Sequence, residues 1–301
     1  MRIGVLFPEE DNCIGTDLGA IKAYVQATES LGYHHLATGD HVLGANRQSR
    51  PGWKGKFDHT RLWHEPFVLF GYIAGITQNL ELVTGILILP QRQTVLVAKQ
   101  ASAVDVMSGG RLRLGIGVGW NDVEYEALGE NFHNRGERSE EQITVMRELW
   151  TKELVTFTGK WHKIVAAGLN PMPVQQPIPI WIGGGIGSPG GSKKSSNRVL
   201  KRIARIGDGW FPSVGLDSGV QDMINELHEY TLLEGRNPSD IGIEGSIKLT
   251  HGTPDDWRNQ ALAWIKAGAT HIQARANFPT IDLHLDALER FREAMSEVIG
   301  Q

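Results

Sequence analysis

Cysteine is almost absent from this sequence. Cys13 is the single cysteine among 301 residues, so the chain cannot form an internal disulfide. Proteins of oxidising compartments commonly rely on disulfides, whereas cytoplasmic proteins do not. The composition therefore favours a reducing compartment, and we expect a cytoplasmic protein.

Long apolar runs and an excess of positive charge are missing too. No window approaches the roughly 18 uncharged apolar residues that a membrane-spanning helix needs. Residues 1–8 are typical of a strand and lack the apolar core of a signal peptide. The formal net charge is −4, which argues against a nucleic acid or an acidic membrane surface as a partner. We expect a small-molecule substrate instead.

Spacings typical of metal sites and of dinucleotide binding are not found. His34 and His35 are adjacent, so in a strand they would point to opposite faces. His59 and His64 lack ligand partners at metal spacing. The glycines of residues 115–119 are not followed by the third glycine of the Rossmann fingerprint. The sequence therefore predicts neither a metal site nor a Rossmann site.

The chain instead shows short apolar runs that alternate with longer helical patterns. Strands are predicted at residues 2–8, 34–38, 81–89, 111–117, 178–183, 209–212, 241–249 and 270–274. Helices are predicted at residues 18–31, 66–77, 95–107, 138–150, 196–206, 220–233, 255–267 and 282–298. Several of these strands are apolar throughout, as parallel strands buried on both faces are. The alternation predicts one α/β domain, residues 1–301, folded as a single (β/α)8 TIM barrel; an open doubly wound sheet is the alternative.

Four long stretches interrupt this alternation. They are residues 42–63, 121–137, 156–174 and 183–196. The second is expected to begin with a short helix, and the third to form a hairpin. Loops that follow barrel strands emerge on the C-terminal face, where barrel enzymes bind their substrates. The tryptophans near these stretches indicate an aromatic-lined mouth or, alternatively, core or dimer contacts; they are Trp53, Trp63, Trp120 and Trp161.

Two parts of the chain resemble a known family. The first comprises residues 63–66, 82–92, 98–100, 108–112, 115–121 and 124–129, and the second comprises residues 171–175, 179–184 and 206–212. The order and spacing of these segments resemble the luciferase-like monooxygenase superfamily, specifically its F420-dependent oxidoreductase branch. The resemblance implies a homodimer and a flavin-like cofactor, the deazaflavin coenzyme F420, with FMN as the alternative.

The resemblance also implies where the cofactor ring lies. Gly85-Ile86 falls where the family has a non-prolyl cis peptide whose bulge presses on the ring. The alternative is an ordinary glycine that lets two backbones approach. Val118 and Gly119 come at the end of a strand over which a flat ring can lie, although a tight strand exit would give the same pattern.

Gly183 and Gly184 begin the segment best suited to bind an anion. Glycine N–H groups followed by a serine-capped helix start offer donors and the positive end of a helix dipole. In the family this region holds the cofactor phosphate, which implies contacts from Gly183, Gly184 and Ser196. Residues 186–195 lengthen the usual connection, and Lys193 or Lys194 is a further candidate. The alternative is a flexible surface loop.

Asp40 and His41 close the second predicted strand. In F420-dependent relatives the matching pair lies beside the deazaflavin, whereas many FMN-dependent relatives have a Glu-His-rich pattern, so the pair favours F420. Histidine titrates near neutral pH and can pass a proton, which makes His41 the candidate catalytic residue and Asp40 a candidate cofactor contact. The alternative for Asp40 is a carboxylate that braces a loop.

Trp120 departs from one part of the family. Sugar-phosphate dehydrogenases of the superfamily have a glutamate at this position, so the resemblance does not support a sugar phosphate as substrate. Glu124 and Glu126 follow one turn later, and we expect both on a solvated helix face.

Three functions are consistent with these patterns. The first is F420-dependent hydride transfer to or from a small organic substrate, and the second is an FMN-dependent monooxygenase. The third is a non-catalytic barrel that binds a flavin or F420, because fold alone does not determine function.

Overall fold

Parallel strands form the centre of the molecule. A computed structural model of the chain describes residues 1–9, 14–185, 193–216 and 219–299. The strands in chain order are β1 (Arg2–Leu6), β2 (His35–Thr38), β3 (Glu81–Thr84), β4 (Leu87–Ile88), β5 (Leu112–Gly117), β6 (Val155–Thr158), β7 (Lys163–Ala167), β8 (Ile180–Gly184), β9 (Gly209–Pro212), β10 (Gly242–Lys248) and β11 (His271–Arg275).

The strand pairing closes a barrel. Within the described residues, β1, β2, β3, β5, β8, β9, β10 and β11 pair in parallel in that order, and β11 returns to β1. β4 continues the line of β3 and also pairs with β5. Each predicted barrel strand has a counterpart here, so the (β/α)8 TIM barrel is confirmed.

Helices surround this barrel. They are α1 (Leu18–Ser30), α2 (Pro66–Ile76), α3 (Thr94–Ser108), α4 (Asp122–Ala127), α5 (Arg135–Thr151), α6 (Lys193–Ile206), α7 (Val220–Leu233), α8 (Pro254–Ala267), α9 (Ile281–Ala294) and α10 (Ser296–Ile299). Local chemistry begins several of them. Asp17 accepts the Gly19 and Ala20 N–H groups ahead of α1, and Thr253 and Asp256 form a reciprocal capping box at α8.

A short helix and a hairpin outside the barrel match two of the predicted interruptions. α4 is the short helix expected after the fourth barrel strand, and β6 and β7 form the expected hairpin. Glu141 of α5 accepts the backbone N–H groups of Lys160, Trp161 and His162, which fixes the hairpin turn against that helix.

A network of charged side chains lies near the amino ends of the barrel strands. His35 Nε2 lies 3.2 Å from Glu244 Oε1, and Arg113 Nη1 lies 2.8 Å from Glu244 Oε2. All three side chains are at most 3% exposed. Burial alone would raise the pKa of Glu244, but His35 and Arg113 outweigh it and lower that pKa to about 2. Burial, together with Arg113, lowers the pKa of the neighbouring His271 to about 3.

This network lies at the end of the barrel opposite the predicted site. His35 is the first residue of β2, and Glu244 pairs in register with His271, the first residue of β11. Removing one partner from a carboxylate buried between an arginine and a histidine would leave polar groups unpaired in the interior and destabilise the fold.

The described helices include none long and apolar enough to cross a membrane.

Candidate active site

His41 stands just beyond β2, at the carboxyl end of the barrel. Its side chain is 11% exposed, and its Nδ1 lies 2.9 Å from Oε1 of Glu124 on α4. Three aromatic rings surround the imidazole, with centroid distances of 4.7 Å to Trp63, 5.3 Å to Phe57 and 5.5 Å to Trp120. The sequence places these rings far apart, and the fold brings them together around one histidine.

The other ring nitrogen of His41 remains available to a ligand. Among the described residues, Nε2 has no hydrogen-bond partner, and it is not among the unpaired polar atoms closed off from solvent. An imidazole nitrogen at the carboxyl end of a barrel is placed where such enzymes carry out their chemistry.

Glu124 corrects an expectation from the sequence. Its side chain is 1% exposed, so it does not lie on a solvated helix face. Asn121 caps α4 by accepting the Val123 N–H. This short helix places the Glu124 carboxylate within hydrogen-bond distance of the His41 ring. Glu126 does lie in solvent, where it pairs with Arg50. Glu124 lies in the first turn of the helix after β5, and no local sequence signal marks its contact with His41.

Residues 42–63 cover His41 and are fastened to α4. Glu124 accepts the Val42 N–H at 3.0 Å, and Asn121 donates to the Leu43 carbonyl at 3.3 Å. Trp53 stacks near Trp120, with centroids 6.1 Å apart. Trp161 is different from the other three tryptophans, because it lies on the hairpin with Lys160 over its ring. The predicted aromatic-lined mouth is therefore built from Trp53, Trp63 and Trp120.

Asp40 is buried and holds Arg92. Its carboxylate accepts Arg92 Nη2 at 2.6 Å and Nε at 3.2 Å, and it also accepts the Ile88 N–H at 2.9 Å. Burial alone would lower the pKa of Arg92, but the Asp40 charge overrides it and holds that pKa above its ordinary value. Asp40 thus fixes the backbone that follows Gly85-Ile86. A direct contact with cofactor stays a prediction.

The Gly85–Ile86 peptide bond is cis, as predicted, and it separates β3 from β4. Glycines on neighbouring strands leave room for the Ile86 side chain. A Cβ at Gly117 would stand 1.9 Å from Ile86 Cδ1, and one at Gly183 would stand 2.8 Å from Ile86 Cγ2. Larger residues at these two positions would displace Ile86.

The remaining predicted cofactor contacts form two groups. Val118 and Gly119 follow β5, where Gly119 has φ +66° and faces Ile88. Gly183 and Gly184 end β8, and the Gly184 carbonyl accepts Trp210 Nε1 at 2.9 Å. Ser196 is buried on α6 with its Oγ 3.9 Å from Met223 Sδ. Residues 186–192 lie outside the described residues, as do the side chains of Lys193 and Lys194, so the phosphate contacts stay predictions.

The predicted ring contacts form one partly exposed surface at the carboxyl ends of the strands. Six residues here are partly exposed, four of them glycines and two of them apolar: Gly85, Ile86, Val118, Gly119, Gly183 and Gly184. They lie on three neighbouring strand ends, because β5 pairs with both β4 and β8.

The family assignment agrees with this geometry. The sequence model of luciferase-like monooxygenases matches residues 1–298. The chain belongs to the luciferase-like monooxygenase family. Members and structural neighbours of this family include both F420-dependent and FMNH2-dependent enzymes.

Two relatives are similar to this chain in sequence. An uncharacterized protein of Mycobacterium tuberculosis is 30% identical over 205 residues, 66% of this chain and 67% of that protein. An FMNH2-dependent dimethylsulfone monooxygenase of Pseudomonas putida is 26% identical over 175 residues, 57% of this chain and 46% of that protein.

Two solved structures share the fold over nearly their whole length. A monooxygenase of Streptomyces bottropensis has a TM-score of 0.80 at 18% identity, covering 99% of this chain and 100% of its own. An F420-dependent secondary alcohol dehydrogenase, in complex with an F420-acetone adduct, has a TM-score of 0.77 at 16% identity, covering 97% of each chain.

Proposed function

We propose that this protein is an F420-dependent oxidoreductase that moves a hydride between the deazaflavin and a small organic substrate. The observation that carries the proposal is the placement of His41. A buried carboxylate and three aromatic rings hold its imidazole at the barrel mouth, while Nε2 stays open to a ligand.

Chain residues would hold the ring from one side. Ile86 and the partly exposed glycines at positions 85, 119 and 183 would offer a surface without protruding side chains, against which a flat ring can pack. Asp40 and Arg92 keep this surface in place from behind, through the Ile88 N–H. When bound, F420 would supply or take up the hydride, and the protein contributes position and electrostatics.

His41 would carry the proton that accompanies the hydride. Nε2 can accept the hydroxyl proton of an alcohol during oxidation, and it can return a proton to an imine or activated alkene during reduction. Phe57, Trp63 and Trp120 limit water around the ring, which favours transfer between His41 and the substrate.

FMN is the alternative cofactor. The Asp40-His41 pair resembles F420-dependent members, and the secondary alcohol dehydrogenase with the same fold is named as F420-dependent. The FMNH2-dependent dimethylsulfone monooxygenase among the relatives supports the FMN alternative. A non-catalytic cofactor-binding barrel remains a third candidate, because the fold alone does not require chemistry.

Absorbance measurements with each reduced cofactor distinguish these functions. Reduced F420 and reduced FMN are supplied separately, with a panel of small carbonyl compounds, imines and activated alkenes, in the presence and absence of oxygen. We expect substrate-dependent oxidation of reduced F420 that needs no oxygen. Oxygen-dependent consumption of reduced FMN with substrate would instead support a monooxygenase, and binding without turnover of either would support the non-catalytic barrel.

The outer faces of α2 and α3 support a homodimer as the assembly. α2 contains no charged residue, and the only exposed charge on α3 is Lys99, because Asp105 is buried. The two helices expose several large apolar side chains: Val68, Val95, Leu96, Val106 and Met107. A helix on the outside of a barrel normally presents a polar face to water. A two-fold contact sets a surface against its own copy, and a surface with almost no charge avoids repulsion there.

Light scattering after size exclusion tests this assembly. We expect twice the chain mass for the wild type and the mass of a single chain for Leu96→Glu, since a two-fold contact would bury the new charge twice. The matched control is Leu233→Glu on α7, also an exposed leucine, which should remain dimeric. A monomeric wild type would overturn the proposal.

A further inference from the structure

Glu124 uses a single carboxylate oxygen for two donors. Its Oε1 lies 2.9 Å from His41 Nδ1 and 3.0 Å from the backbone nitrogen of Val42, the next residue in the chain. A carboxylate at neutral pH only accepts hydrogen bonds, so the hydrogen shared with His41 must belong to the ring. The pairing therefore specifies the ring tautomer in which Nδ1 carries the hydrogen.

That tautomer determines what the opposite nitrogen can do. In a neutral imidazole one nitrogen is a donor and the other an acceptor, and the partner of one nitrogen sets the state of the other. With Nδ1–H directed at Glu124, Nε2 presents its lone pair toward the mouth. The reverse tautomer would point an N–H at the substrate and could not accept a proton.

The surroundings allow few other orientations of the ring. Trp63, Phe57 and Trp120 all lie against the imidazole, and Phe57 is itself only 9% exposed. Val42 directly follows His41, and its N–H donates to the same Glu124 oxygen. This hydrogen bond ties the carboxylate to the backbone beside His41. The carboxylate that contacts this ring is therefore fixed in position.

We propose that Glu124 is the positioning residue of His41, and that it holds the imidazole in the tautomer that leaves Nε2 free to accept the substrate proton. This inference rests on the proposed function, because it assigns His41 a proton to transfer. Glu124 acts through His41 and does not touch the substrate. The residue lies 83 positions from His41 in the chain, and only the fold brings the two together.

Nitrogen-15 NMR of the histidine ring tests the tautomer without any cofactor. The His41 signals of the wild-type protein should show Nδ1 protonated and Nε2 bare at a pH where the ring is neutral. Glu124→Gln keeps an accepting oxygen and should keep that tautomer, whereas Glu124→Ala should lose it. A wild-type ring with Nε2 protonated, or a Glu124→Ala ring unchanged from wild type, would overturn the proposal.

Kinetics with F420 test whether Glu124 supports turnover and not substrate binding. Glu124→Ala should lower kcat by about 10- to 100-fold, as the loss of an orienting carboxylate commonly does, with KM changed by no more than a few-fold. Glu124→Gln should stay closer to wild type. The matched control is Glu126→Gln, which removes the same charge two residues away at a 69%-exposed side chain and should retain wild-type kinetics.

The double variant separates positioning from a merely structural role. Because Glu124 acts through His41, the His41→Ala/Glu124→Ala double variant should be no slower than His41→Ala alone. Losses that multiply would show that Glu124 matters for another reason and would overturn the proposal. If His41→Ala itself keeps full turnover, the proposed acid–base function fails instead, and the NMR result still decides whether Glu124 sets the tautomer.

Discussion

Replacing His41 with alanine should lower turnover by about 10²–10⁴-fold, the usual contribution of a positioned acid–base group. Binding of F420 should change by no more than a few-fold, because the ring is expected on Gly85-Ile86 and the phosphate at Gly183 and Gly184. The measurement is turnover on an accepted substrate beside fluorescence-monitored F420 binding, with wild type and variant compared.

A second substitution guards against an effect of the cavity left by alanine. His41→Asn keeps an N–H that can reach Glu124 but has no nitrogen that titrates, so it should be as slow as His41→Ala. His59→Ala is the control, because His59 is an exposed histidine of the same loop and should keep wild-type turnover. A collapse of affinity along with turnover would make His41 a cofactor ligand. No change in either would leave it a scaffold residue and contradict the assignment.

Replacing Glu244 with glutamine should destabilise the fold by about 3–5 kcal/mol, the usual cost of removing one partner from a buried ion pair. Arg113 and His35 would keep their polar groups in the interior without the charge that offsets their burial. Glu81→Gln is the control, because Glu81 also pairs with Arg113 but is 17% exposed, and it should cost clearly less. Urea unfolding followed by tryptophan fluorescence measures both; a loss below about 1 kcal/mol for Glu244→Gln would contradict the account.

The same network predicts how stability depends on pH. The folded pKa of Glu244 is about 2, below its ordinary value of 4.5, so its contribution is present above pH 4.5 and is lost as the pH falls toward 2. His271 has a folded pKa of about 3 against an ordinary 6.5, so only the unfolded chain gains its proton between these values. Stability should therefore fall on acidification from about pH 6.5 downward, and Glu244→Gln should flatten the part below pH 4.5.

The barrel was predictable because its signals are local. Each parallel strand is a short apolar run, and each helix has its own periodicity and caps, as Asp17 shows for α1. Residues 81–89 are the exception, because they read as one strand while the structure divides them at Gly85-Ile86. The apolar character continues through the break, so hydrophobicity alone does not mark it, and only the family resemblance pointed to the cis bond.

The site was predictable only in part, because its pairings are between distant residues. His41 and the tryptophans around it follow from their loops, but Asp40 meets Arg92 at a separation of 52 residues and Glu124 meets His41 across 83. No local pattern predicts such pairs. The sequence predicts Glu124 and Glu126 on one solvated face, but the short helix α4 buries Glu124 and exposes Glu126.

Titration of the protein with F420, and separately with FMN, tests the central claim most directly. The account predicts quenching of F420 fluorescence with a dissociation constant in the micromolar range or lower, about −8 kcal/mol, and FMN binding weaker by about tenfold or more. FMN binding that is tighter than F420 binding would contradict the assignment of this protein to F420 chemistry.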